Sequence, residues 1–162
     1  KAALDWAKGV VKNFSREPKG NDRGQMAAVV LGKCDVTIAN TYYLGKWISS
    51  KKETEKSYAK QIKVLFPNQD NRGAHINISG AGILRFSPNK KNAQKFIEFL
   101  LTEDAQTNLC NNSFEFPVIK NVKTNKLINN IKNFKDDVDI DVSTYGKRQA
   151  QAFKLMQKAG WN

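Results

Sequence analysis

Four short, partly β-branched apolar runs, at residues 34–39, 62–66, 75–79 and 83–86, alternate with stretches whose apolar residues recur at helical spacing. That alternation predicts an α/β protein. The supply of strands is thin, however, and the last third of the sequence reads mainly as helix. The imbalance implies that some strands of the sheet lie outside this sequence.

The helical stretches carry their own punctuation. Leu4, Trp6, Val10, Val11 and Phe14 share one helical spacing that ends at the turn signal of residues 18–20. Asp22 is the expected N-cap of a helix carrying Met26, Val29, Val30 and Leu31, closed by Gly32. Asn40 or Thr41 is expected to cap a helix running from Tyr42 through Trp47. Asn89 opens an amphipathic helix with Ala93, Phe96, Ile97, Leu100 and Leu101 on one face, and Thr102 opens the next. Residues 114–118 read as extended, because the residue before Pro117 avoids the helical region. A long helix over 143–159 is stopped by Gly160.

Several function classes fall away. The longest apolar run, residues 26–31, is far short of the roughly 20 residues a membrane-spanning helix needs. The chain is strongly basic, with 27 Lys and Arg against 15 Asp and Glu, which raises a basic nucleic-acid-binding module as an alternative. Yet most of those cations are Lys, scattered with no run longer than two, whereas base and phosphate readers favour Arg. The expectation is a solvated surface and no nucleic-acid partner. No enzyme is expected either. His75 is the single histidine, no nucleophile or nucleotide motif occurs, and Asp136, Asp137, Asp139 and Asp141 read as solvated loop acids. Cys34 and Cys110 form no metal-ligand spacing, and two apolar thiols or one disulfide both remain open. The sequence has neither an initiator Met nor an export signal, so it reads as a mature product or a piece of something longer.

The unusual segment is 38–45, with Tyr42 and Tyr43 adjacent at a strand-to-helix junction. Neighbours in the first turn of a helix are about 100° apart, so two phenol oxygens can converge beyond the helix start. Backbone N–H groups and the positive end of the dipole there favour phenolate over phenol. Hard phenolate oxygens suit a hard, highly charged cation, with ferric iron the natural candidate. Aromatics at a strand end also commonly pack and hydrogen-bond, so chemistry alone leaves both readings open.

The strings PKGNDRGQ (18–25) and GKCDVTIANTYYLG (32–45) resemble those of bacterial periplasmic ferric-iron-binding proteins, the transferrin-like solute-binding subunits of iron ABC importers. FPNQ (66–69), RGAHINISGAG (72–82), the helix over 92–101, FEFPV (114–118) and AFKLMQKAGW (152–161) continue the resemblance in order. It implies a periplasmic-binding-protein-like fold, with two lobes of mixed sheets flanked by helices, of which this chain supplies roughly the C-terminal half. Residues 1–70 would belong to the second lobe. Residues 71–122 would form the crossover strand and part of the first lobe, and 123–162 the closing helices on the second lobe. Tyr42 and Tyr43 match adjacent tyrosine ligands of Fe(3+) in an interlobe cleft. Asn40 matches a residue that helps bind a synergistic anion, and Lys46 a basic residue beside the ligands. Asp22 and Arg23 lie in a strong motif, with an anion-binding or a structural role, and His75 matches a structural position. The resemblance also implies a periplasmic location, an anion or water completing the coordination, and two partners: the N-terminal half with the remaining ligands, and an ABC permease. A relative of the same fold that binds an oxyanion such as phosphate or thiosulfate is the alternative. Phe116 departs from the pattern, standing where the family's Glu-Tyr-Pro-Val has a tyrosine.

Overall fold

The computed structural model describes residues 1–137 and 140–161, which gather into two compact units. The first draws on Lys1–Thr37 and Asp137–Asn162, the second on Ile38–Asp136. Asp139, one of the expected loop acids, lies outside the described residues.

The first unit holds α1 (Ala2–Lys12), α2 (Asp22–Val30) and α8 (Ser143–Ala159). α1 packs on α8, with Ala7 and Ala159 buried. The first helix stops at Lys12, earlier than its periodicity suggests. Asn13 bends its amide back to the carbonyl of Gly9 at 2.7 Å. Phe14 then leaves the helix and meets Trp161 edge-to-face, ring centroids 5.1 Å apart. α8 ends where expected, at Gly160, whose φ of 89° is left-handed backbone that a side chain would strain. The cap of α2 is Asn21, not Asp22. Asn21 holds the extended backbone and its Oδ1 accepts the N–H of Gly24 at 3.1 Å. Asp22 therefore sits in the first turn, where its charge complements the helix dipole.

The second unit contains α3 (Thr41–Ile48), α4 (Glu53–Ala59), α5 (Lys90–Leu100), α6 (Glu103–Ser113) and α7 (Lys126–Ile131). α3 packs on α4 and α6, and α5 on α6. Leu44, Trp47, Ala59, Ala105, Cys110 and Ile128 are buried there. Thr102 caps α6 as expected, accepting the N–H of Ala105. Asn125 caps α7 and also donates to the carbonyl of Cys110 at 2.8 Å. Gln106 is buried with both ends of its amide used, donating to Leu100 O at 2.7 Å and accepting from Val118 N–H at 3.0 Å. That second bond pins the 114–118 segment to α6; the extended run expected there does not begin at Phe114, which is left-handed as the cap of α6. Phe116 packs edge-on against Phe134, which itself stacks on Phe66 at 4.0 Å.

The expected strands do not form a sheet. Among the described residues the β contacts reduce to one isolated parallel bridge, Ala74 to Asp136. The runs at 34–39, 62–66, 75–79 and 83–86 carry no ladder, and the last closes in a turn. A strand needs a neighbour to take its backbone N–H and C=O groups. Within the described residues these runs have none, and Val36, Ile38, Leu65 and Phe86 stay exposed. α5 repeats the pattern: its amphipathic helix forms, yet none of its residues is buried, and Phe96 and Phe99 are 59% and 53% exposed. No helix among the described residues is long and apolar enough to cross a membrane.

Candidate metal centre

The centre is built on the first turns of α3, inside the second unit. Leu44, Gly45 and Trp47 form the buried face of this helix. Trp47 meets Tyr58 of α4 at a centroid distance of 5.8 Å. On the other side Gly45 lies against Phe114, so close that a Cβ there would stand 2.6 Å from the Phe114 Cβ. Phe114 is the left-handed cap of α6, with φ 61°. Two packed neighbours thus set the rotation of α3 and with it the direction of its open face.

That open face carries Tyr42, Tyr43 and Lys46. At 100° per residue, position 46 falls about 40° to one side of 42 and about 60° to the other side of 43. Lys46 therefore rises between the two tyrosines. Its ammonium lies 5.3 Å from the Tyr42 ring centroid and 5.7 Å from that of Tyr43, within cation–π range of both. The rings are 4.5 Å apart and tilted by 42°. Both tyrosines are half-buried, held by protein on one side and accessible on the other. Asn40 is the residue before the helix. Its carbonyl accepts the N–H of Tyr43 at 3.2 Å, while its side-chain oxygen accepts from Asn77 Nδ2 at 3.2 Å.

Asn40, Tyr42, Tyr43 and Lys46 thus come together in one unit. Asp22 and Arg23 belong to the other, on the first turn of α2. Cys34 and Cys110 are both free thiols in this structure. Cys110 is buried, and burial pushes its thiol above the ordinary range, which suits a packed apolar group rather than a ligand. Asp141 accepts from both the N–H and the hydroxyl of Ser143 at the start of α8, and those bonds hold its carboxyl below the ordinary range. His75 is exposed beside the bridge residue Ala74. Among the described residues no three His, Cys, Asp or Glu side chains gather as a metal site. The hard oxygens of Tyr42 and Tyr43 are of the kind that suits a hard, highly charged cation.

Two contributors were not singled out from the sequence. Asn77 is an ordinary polar position in the regular polar/apolar alternation of residues 75–79, which gave it no signal of its own. Gly45 is an isolated glycine inside a helical pattern, which usually marks a close packing contact.

Comparison with known proteins covers nearly the whole chain. Residues 1–146 match the family described as bacterial extracellular solute-binding protein. The chain is 45% identical to iron uptake protein A1 of Synechocystis over 99% of its own length and 44% of the relative's. It is 30% identical to the Fe(3+)-binding periplasmic protein of Serratia marcescens, again over 99% of the chain and 45% of that protein. Among solved structures it matches Trichodesmium IdiA (FutA) in complex with iron and citrate, with a TM-score of 0.94 and 42% identity, covering 99% of this chain and 51% of that one. The ferric binding protein of Campylobacter jejuni follows at a TM-score of 0.92 and 36% identity, over 98% and 50%. The chain spans about half the length of the relatives it matches, and these relatives are binding and uptake proteins, not enzymes. On the match over residues 1–146, the chain belongs to the bacterial extracellular solute-binding protein family.

Proposed function

We propose that this chain is the C-terminal half of a periplasmic ferric-iron-binding protein, which captures Fe(3+) through the phenolates of Tyr42 and Tyr43 and hands it to an ABC-type permease. The observation that carries the reading is the tyrosine pair at the start of α3, with the Lys46 ammonium over both rings. The relatives named for ferric iron support iron over an oxyanion as cargo.

Two phenolates fill only part of an octahedral ion's coordination. The length of the relatives supports a second half that supplies the remaining protein ligands. The citrate in the Trichodesmium complex supports a carboxylate anion as the companion ligand, with Asn40 and Lys46 beside it. Asp22 and Arg23, on the first turn of α2, keep an anion-binding or a structural role as the two alternatives. In this reading residues 1–70 and 123–162 build one lobe, and 71–122 cross to the other. The unpaired runs and the uncovered face of α5 support that division, since strands and helices of the missing half would complete the mixed sheets. Closure of two lobes over the metal is a hinge movement that brings tyrosines from both sides onto one ion.

The test is the visible spectrum after addition of ferric citrate. It is recorded for the chain with and without the completing half, and for the Tyr42→Phe/Tyr43→Phe variant. A phenolate-to-iron charge-transfer band that vanishes in the double variant is expected. If the wild type gives no band under either condition, iron ligation by this pair is wrong.

A further inference from the structure

Gln25, the last residue of the motif at 18–25, uses both ends of its amide. Its Oε1 accepts from Arg16 Nη2, and its Nε2 donates to Lys19 O at 2.8 Å. Arg16 Nη1 donates to Glu17 O at 3.2 Å, so the guanidinium is held at two points by uncharged acceptors. Lys33 is fixed at its backbone: its N–H reaches Ala28 O at 2.8 Å, and its carbonyl accepts from Ser15 Oγ at 2.9 Å. Arg16, Lys19 and Lys33 line a cavity of about 170 Å³ whose apolar wall is Ala27, Ala28 and Leu31. Glu17 turns its carboxylate to Lys19 at 3.0 Å, a solvent-exposed pair worth little. Among the described residues no carboxylate pairs with Arg16 or Lys33. Arg16 is half-buried, and a charge drawn partly out of water calls for an opposite one.

We propose that this cavity binds a small aliphatic carboxylic acid, anchored on the Arg16 guanidinium, with Lys33 as the second cation and Gln25 as the residue that positions Arg16. Two of the five guanidinium N–H donors are used, and the planar group offers the rest to a carboxylate. The methyl groups of Ala27, Ala28 and Leu31 would cover methylenes of the acid. Phosphate or sulfate, with oxygen on every side, would set polar atoms against that wall. The volume equals the bulk share of about five or six water molecules, which suits an acid of a few carbons. The cavity belongs to the first unit and the tyrosine pair to the second. The site goes beyond iron binding and stands whether or not the pair holds a metal.

The complete protein, metal-free and carrying Tyr42→Phe/Tyr43→Phe to silence the metal centre, is titrated calorimetrically with succinate, inorganic phosphate and a capped Gly-Glu-Gly peptide. Succinate is expected to bind more tightly than phosphate by about fivefold or more, through its methylenes. Arg16→Lys keeps the charge and loses the planar fork, so it should weaken succinate about tenfold. Lys33→Gln, a change at an exposed side chain, should weaken it about threefold. Thermal unfolding reports whether each variant stays folded, and Lys33→Gln carries the test if Arg16→Lys does not. A general attraction of a basic protein for anions would give phosphate binding as tight as succinate and a folded Arg16→Lys variant like the wild type. Either result overturns the proposal, as does a Lys33→Gln variant that binds succinate unchanged. No binding of succinate up to ~10 mM also overturns it. Tighter binding of the peptide than of succinate overturns the free acid as ligand and assigns the cavity to an acidic side chain of a partner protein.

Discussion

Replacing Gly45 by Ala drives a methyl group into the flank of Phe114, because the added Cβ would stand 2.6 Å from the Phe114 Cβ. The contact is with the root of that side chain, not its flexible end, and Phe114 is held at φ 61° as the cap of α6. Overpacking of this kind costs about 1–3 kcal/mol. Against it stands the gain of about 1 kcal/mol from alanine over glycine in a helix interior. With Phe114 unable to swing away freely, the cost falls in the upper part of that range, about 2–3 kcal/mol, and the balance for Gly45→Ala is a loss of about 1–2 kcal/mol. Gly9→Ala in α1 is the control, since nothing lies within 4 Å of a Cβ there and its φ is not left-handed. That change should stabilise by roughly 0.5–1 kcal/mol. Thermal unfolding followed by circular dichroism should then separate the two variants by on the order of 5–10 °C. Gly45→Ala should also cost less in a Phe114→Ala background, since the clash is gone. The reasoning is refuted if Gly45→Ala stabilises the protein as much as Gly9→Ala does.

Gln106→Leu would remove both bonds of this buried amide, to Leu100 O and from Val118 N–H, a loss of about 1–2 kcal/mol by urea titration, with the 114–118 segment loosened first in hydrogen exchange. Cys110 should resist a thiol reagent until the chain unfolds, whereas half-buried Cys34 reacts in the native state. Burial raises the Cys110 thiol above its ordinary value of 9.0, so the folded protein keeps a proton that the unfolded chain has lost. Its contribution to stability is complete below pH 9 and falls as pH rises from there toward the folded value, and Cys110→Ala should flatten that alkaline decline.

The helices were legible in the sequence because their signals are local. Thr102 before two acids, Gly160 after the last periodic residue and the apolar stripe of α5 each concern residues within a few positions of one another. Asn21 displaced Asp22 as a cap because two good capping residues stand side by side, and only the backbone angles choose between them. The strand runs carry the right side chains, but a strand is completed by pairing, which is a non-local fact. Residues 34–39 and 62–66 form no ladder within the described residues, and Val36, Ile38 and Leu65 stay exposed. The tyrosine pair and Lys46 were legible for the same reason as the helices, being at i, i+1 and i+4. Asn77, far along the chain, carried no such signal, being an ordinary polar position in the alternation of residues 75–79.

That split between local and non-local structure also divides the metal centre. The rotation of α3 is fixed by Gly45 against Phe114 and Trp47 against Tyr58, and Lys46 holds both rings from one turn away. All of these contacts lie within the second unit, so the two phenols need not be assembled when the metal arrives. Pre-organisation of this kind lowers the entropy lost on binding. On the proposed ligation, two oxygens alone would leave an octahedral ferric ion open to water and hydroxide, and the further ligands would have to come from outside this unit. Orientation of the first ligands would then be a property of this chain, and affinity a property of the completed protein. Tyr42→Phe or Tyr43→Phe alone should weaken iron binding in the completed protein without altering its fold, and the residual band should mark the tyrosine that remains.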